Sequence, residues 1–129
     1  MATAAKIQVA VVDDQLTMRS LVRTSLNQIG IVQVREYPTA KEAYDAVTLQ
    51  PVHMIISDFN MPEMDGLEFL RKLRANSAMA NTAFILLTGR ADKDLVVRAL
   101  QFGANNYLVK PFTVATLREK IEAVFGPLT

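Results

Sequence analysis

Cysteine is absent from the 129 residues, and glycine and proline occur only five times each. Without thiols, disulfides and thiolate-held metals are excluded, and a reducing compartment is compatible with the chain. The few glycines form no phosphate-cradling loop, so a nucleotide pocket of the Walker or dinucleotide type is not expected. No linker rich in Gly, Pro or Ser, no internal repeat and no low-complexity tract interrupts the chain. Excess charge of either sign is also missing: 14 Lys and Arg face 13 Asp and Glu, for a formal net charge of +1. That balance favours neither nucleic acid nor a membrane surface as a partner. The first residues, Met1 to Lys6, lack the apolar stretch of a signal peptide. No run reaches the ~18 apolar residues that mark a membrane span. The cytoplasm is the expected location.

What is present has the balance of a globular protein, 50% hydrophobic and 21% charged. The length suits one domain, expected over residues 1–129, with a sizeable core. Five apolar runs of strand length, Ile7 to Val12, Ile31 to Arg35, Val52 to Ser57, Ala83 to Thr88 and Asn106 to Val109, alternate with stretches of helical period. The first helical stretch carries Leu21, Val22, Leu26 and Ile29 on one face and stops at Gly30. The second uses Ala40, Ala43, Tyr44 and Val47 before Pro51, and the third Leu67, Leu70 and Leu73 with Asn76 near its end. The fourth uses Leu95, Val96, Ala99 and Leu100 up to Gly103, and the last Leu117, Ile121 and Val124 before Gly126-Pro127.

Strict strand-helix alternation predicts an α/β fold, a parallel five-stranded sheet covered by helices on both faces in a (βα)5 three-layer sandwich. "VAVV", "MIIS" and "FILL" are nearly continuous in apolar residues, as strands buried on both sides are. "VQVRE" alternates and "NNYLVK" is partly polar, which marks the second and fifth strands as edges. The predicted strand order is therefore 2-1-3-4-5, the doubly wound, flavodoxin-like arrangement.

Open sheets of this kind bind ligands outside the carboxyl ends of their strands. At those ends stand Asp13-Asp14, Asp58, Thr88-Gly89 and Lys110-Pro111. Crowded carboxylates repel one another unless a cation relieves them, and a hard divalent ion such as Mg²⁺ does so with one or two carboxylates, waters and phosphate oxygens. Lys110 adds a point charge without filling the metal's shell. Aspartate also forms acyl phosphates as a nucleophile, and Asp58, behind the central run Met54-Ile55-Ile56 and next to the first strand's acid pair, is the best placed attacker. The pattern reads as a phosphoryl site.

In order and spacing, "VVDD", "ISDFNMPEMDGLEFL", "LLTG" and "NNYLVKPFT" span nearly the whole chain. On these motifs the chain resembles the receiver domains of two-component signalling, most closely the CheY-like single-domain response regulators. The resemblance implies that Asp58 is the phosphoacceptor, that Asp14, Asp58 and the backbone carbonyl of Asn60 ligate Mg²⁺, and that Asp13 holds it through water. It further implies phosphoryl contacts from Thr88 and Lys110, an aromatic switch at Tyr107 and a cis peptide at Lys110-Pro111. A histidine kinase would be the phosphodonor and the flagellar motor switch protein the downstream partner. The chain would be a monomer that dimerises, if at all, on activation. It would assist its own phosphorylation and dephosphorylation and turn over no outside substrate.

Each residue also has a plainer reading. Asp14 alone could cap the first helix, Thr88 alone is an ordinary strand residue, and Tyr107 alone an edge aromatic. Pro62 ends any extension of the third strand, and Asp65-Gly66 offers a turn before the third helix. His53 is expected to pack or face solvent, Met54, Met61 and Met64 to fill core and loop, and the basic residues of "LRKLR", Leu70 to Arg74, to be solvated. Arg90 lies two residues beyond Thr88, where similar chemotaxis regulators of enteric bacteria bear glutamate. It is a candidate modulator of phosphate lifetime, through the phosphoryl group or a partner's acids, or else a solvated side chain. Other roles in the same class are a phosphate sink and an adaptor in another two-component pathway. From other classes come a small Mg²⁺-dependent aspartyl phosphatase, against which adjacent Asp13-Asp14 and the missing cap insertion argue, and a flavin module, against which the acids of "DDQLTMRS" argue.

Overall fold

The computed structural model describes residues 2–89 and 93–129. After a single 3-10 turn come five strand-helix pairs: β1 Gln8–Val12, α1 Leu16–Ile29, β2 Gln33–Tyr37, α2 Ala40–Leu49, β3 Met54–Asp58, α3 Gly66–Ala75, β4 Ala83–Thr88, α4 Lys93–Gln101, β5 Asn106–Val109 and α5 Val114–Phe125. All strand pairs are parallel and the order is β2-β1-β3-β4-β5, as predicted. The central strands β3 and β4 are buried throughout, while β2 and β5 show the half-exposed patterns of edges.

Two apolar cores lie on the two faces of the sheet. Alternate strand residues such as Val9, Val11, Ile56 and Ile85 meet Leu26 of α1 and Leu117 and Ile121 of α5. Their neighbours Ala10, Ile55, Phe84 and Leu86 meet Ala43 of α2, Leu70 and Leu73 of α3, and Ala99 of α4. Phe69 meets Phe84 edge to face at 5.9 Å between ring centres. Side chains alternate across a strand, so one strand feeds both cores and must be apolar at nearly every position.

The second strand starts two residues later than its apolar run. The reason lies in the end of α1. Gly30 takes the left-handed conformation at φ 101°, its N–H reaches the Asn27 carbonyl, and the Ile31 N–H reaches the Leu26 carbonyl at 2.9 Å. This paired closure of the last turn draws Ile31 into the core as a plug. Pairing with β1 then begins at Gln33 opposite Gln8.

Helical faces are narrower than the apolar stripes. Leu21 and Leu100 are 49% and 46% exposed, and Val96 is half-buried. The buried positions of α1 are Val22, Ser25, Leu26 and Ile29, and those of α4 are Leu95 and Ala99. The Lys and Arg residues of "LRKLR" are not simply solvated. Arg71 and Lys72 lie over the rings of Phe102 and Tyr44 at 5.1 and 4.4 Å. Arg74 donates to the Gly103 carbonyl at 2.9 Å, to the Met79 carbonyl at 3.4 Å and to Asn105 Oδ1 at 3.3 Å. Burial lowers the pKa of this guanidinium, which acts as a clamp between α3 and the turn after α4. His53 is exposed and accepts the Gln8 N–H at 2.9 Å through Nδ1. Met54 and Met61 are buried and Met64 packs at the edge of the core.

Candidate functional site

The carboxyl ends of β1, β3, β4 and β5 form one rim. Asp13 follows β1, Asp58 ends β3 opposite Leu87, and Thr88 ends β4 opposite Val109. Lys110 follows β5, and its backbone N–H donates to the Thr88 carbonyl at 2.7 Å. Asp13, Asp58 and Thr88 are buried and Asp14 is exposed. The Lys110 ammonium stands 2.9 Å from Asp58 Oδ1 and 3.7 Å from Asp13 Oδ2. One carboxylate oxygen from each of Asp13, Asp14 and Asp58 lies within 4.8 Å of the others.

The loop after β3 is shaped to hold Asp58. The Phe59 N–H donates to the Leu87 carbonyl at 3.1 Å and the Phe59 carbonyl accepts from the Gly66 N–H at 2.9 Å. Gly66 is required by proximity: a β-carbon there would stand 2.6 Å from the Asp58 carbonyl and 3.0 Å from Phe59 Cα. Asp65 caps α3 by accepting the Glu68 N–H at 2.9 Å, so this pair opens the helix as well as turning the chain. Asn60 lies exposed two residues past Asp58.

Asp14 does not cap α1. That position belongs to Gln15, whose N–H is accepted by Asp13 Oδ1 at 2.9 Å. Asp13 Oδ2 is fully buried without a hydrogen-bond partner. Burial raises the Asp13 pKa above its ordinary value, the Gln15 N–H opposes the rise, nearby Asp58 adds to it, Lys110 opposes it, and Asp14 adds again. An orphaned buried oxygen beside two further carboxylates is an all-oxygen donor set suited to a hard divalent cation. The residues fit Mg²⁺.

Tyr107 is half-buried on β5, with the Lys120 ammonium 4.3 Å above its ring. It lines a groove of about 120 Å³ with Lys93, Val96 and Val97. The peptide bond Lys110-Pro111 is cis. Arg90 lies outside the described residues. Sequence spacing does not flag Arg19, which donates from α1 to the Asp13 carbonyl at 2.7 Å; six positions separate the two, and no local motif links them.

The response regulator receiver domain family matches residues 9–122. The chain belongs to that family. The receiver is 48% identical over 128 residues to the probable chemotaxis protein CheY of Rhizobium etli, covering 99% of both chains. To the chemotaxis protein CheY homolog of Campylobacter jejuni it is 41% identical over 121 residues, or 93% of each chain. Among solved structures it is similar to the chemotaxis protein CheY4 of Vibrio cholerae, with a TM-score of 0.85 at 31% identity over 92% of this chain and 98% of that one. The receiver therefore resembles chemotaxis regulators over nearly their full length. Among its described residues, no helix is long and apolar enough to cross a membrane.

Proposed function

We propose that the chain is a single receiver domain over residues 1–129 that accepts a phosphoryl group on Asp58 from the phosphohistidine of a kinase. The observation that carries this is the Asp58 carboxylate held 2.9 Å from the Lys110 ammonium with two further acids alongside. An Asp58 carboxylate oxygen attacks phosphorus as the P–N bond of the donor breaks; the imidazole nitrogen leaves with the electron pair and takes up a proton. Water attack at the same phosphorus later releases phosphate and restores the carboxylate. Lys110 stabilises the charge spread over the phosphoryl oxygens, and Thr88, at the end of the neighbouring strand, contacts one of them. Asp13, Asp14, Asp58 and the Asn60 carbonyl would hold Mg²⁺, which when bound supplies positive charge against the carboxylates and phosphoryl oxygens.

Phosphorylation adds charge and acceptor oxygens at the end of β4. Thr88 and Lys110 answer that charge, Tyr107 turns inward, and the surface of α4, β5 and α5 changes shape. A shift from 1:99 to 99:1 in active form needs ~5.5 kcal/mol of differential stabilisation. The output is a partner protein, the flagellar motor switch protein in the chemotaxis reading that the relatives' names favour, and the chain works in the cytoplasm as a monomer. Arg90 tunes the lifetime of the phosphorylated state; an unchanged dephosphorylation rate in Arg90→Glu would refute that part.

Incubation with a small-molecule phosphodonor and Mg²⁺, followed by intact mass, tests the core reading. One added phosphate is expected, and none in Asp58→Asn. Phosphate gained equally by the variant would overturn the assignment.

A further inference from the structure

Asp13 is held from several sides. Its N–H donates to the Tyr37 carbonyl at 3.2 Å, its Oδ1 accepts from Gln15 at 2.9 Å, and its carbonyl accepts from Arg19 Nη1 at 2.7 Å. That carbonyl belongs to the peptide unit joining Asp13 to Asp14. A planar peptide turns as one body, so whatever directs the Asp13 carbonyl also directs the Asp14 α-carbon.

Arg19 is itself clamped. Its side chain is 14% exposed, and Nε faces Glu36 Oε1 at 3.5 Å, an ionic contact without hydrogen-bond geometry. Glu36 Oε2 takes Arg23 Nη1 at 2.9 Å, and Arg23 Nη2 donates to the Val34 carbonyl of β2. Two guanidiniums and one carboxylate thus tie α1 and the edge strand to the backbone of the acid pair. Among the described residues, no salt bridge joins these groups to the carboxylates of the pocket.

We propose that Arg19 is a positioning residue that sets the pocket's affinity for a divalent cation by holding the peptide plane between Asp13 and Asp14, with Glu36 and Arg23 holding Arg19 in turn. The proposal rests on the metal reading of the pocket given above. Two physical effects of removing Arg19 have opposite signs, which makes it testable. Loss of a cation near three carboxylates tightens binding of another cation by charge alone. Loss of the peptide's anchor weakens it. Mg²⁺ demands near-ideal octahedral geometry whereas Ca²⁺ tolerates irregular shells, so misplaced acids harm Mg²⁺ more.

NMR-monitored titration of the full chain with Mg²⁺ and with Ca²⁺ separates these effects, with thermal unfolding measured alongside. In Arg19→Met, Mg²⁺ affinity is expected to fall about tenfold and Ca²⁺ affinity about threefold. Arg19→Lys, which keeps the charge but not the planar fork, falls in between. Unchanged or tighter Mg²⁺ binding overturns the proposal, as does an equal loss for both ions that tracks a lowered melting temperature. A wild-type chain that takes up neither ion overturns the metal reading itself. Should Arg19→Met fail to fold, Arg19→Lys and Glu36→Gln carry the same comparison, both with a selective loss of Mg²⁺.

Discussion

The two rims of the sheet are built on opposite rules. At the amino rim, polar groups close on one another. His53 Nδ1 takes the Gln8 N–H and Asn105 Oδ1 the Phe84 N–H. Ala2 bridges Leu128 across the termini, and Glu122 Oε2 accepts the Leu128 N–H at 2.9 Å. The amino rim also has a groove of about 440 Å³ between Gln8, Val32, Gln33, Val34, Arg35, Gln50 and Pro51, yet its polar partners are spent on the fold. At the carboxyl rim, Asp13 Oδ2 and Arg19 Nε are, among the described residues, the buried side-chain polar atoms with no hydrogen-bond partner. Burying a polar atom unpaired destabilises a fold, so such atoms gather where a ligand completes them. Unmet hydrogen bonds, and not room, distinguish the carboxyl rim, and it is there that the proposed chemistry is placed.

The sharpest way to break that comparison is Gly66→Ala. The added methyl would drive into the Asp58 carbonyl at 2.6 Å, and urea unfolding is expected to register a loss of about 3 kcal/mol. A variant as stable as wild type would show that the loop behind Asp58 is not tight. Next comes Lys110→Met, which removes the cation paired with Asp58 and should slow phosphoryl uptake about 100-fold in single-turnover labelling. At the amino rim, Asn105→Ala strips the acceptor from a buried strand N–H and should lower stability by about 1–2 kcal/mol. Its labelling rate should stay at the wild-type value, and a slowed rate would blur the division between rims.

The smallest expected effect has the opposite sign. Asp13→Asn keeps the acceptor for Gln15 but removes a charge whose pKa burial has raised, so the metal-free protein should gain about 1 kcal/mol, read as roughly 4 °C in melting temperature. A raised native pKa means that the folded state prefers the protonated acid, so ionisation weakens the wild type. The gain should therefore be absent below the ordinary carboxyl value of 3.8 and grow as pH rises through the native value. A gain independent of pH would remove ionisation as its cause.

Much of the carboxyl rim is legible in the sequence because the strands that carry it are short, apolar and bounded by their own functional groups. Continuous runs such as "MIIS" and "FILL" read as strands covered on both faces, and they are buried central strands whose following residues emerge at the rim. The second strand is harder: Ile31 continues its apolar run but serves to close α1, a choice made by the left-handed Gly30 and not by hydrophobicity. Leu21 and Leu100 fit a helical period yet face outward, because periodicity gives the direction of a stripe and not the width that neighbours cover. Arg74 is part of a charged helical run in sequence, and only contact with Gly103, 29 positions away, turns it into a clamp.

The sequence by itself determined the alternation of strands and helices, the order of the sheet and the identity of the acids, hydroxyl and lysine at one rim, because these follow from local periodicity and from where each strand must stop. Tertiary structure alone decided how those groups share their hydrogen bonds: that Lys110 leans toward Asp58, that one oxygen of Asp13 is left without a donor, and that Arg19 grips the peptide between two aspartates. Such pairings arise between side chains brought together from different elements, and no spacing along the chain encodes a distance across it.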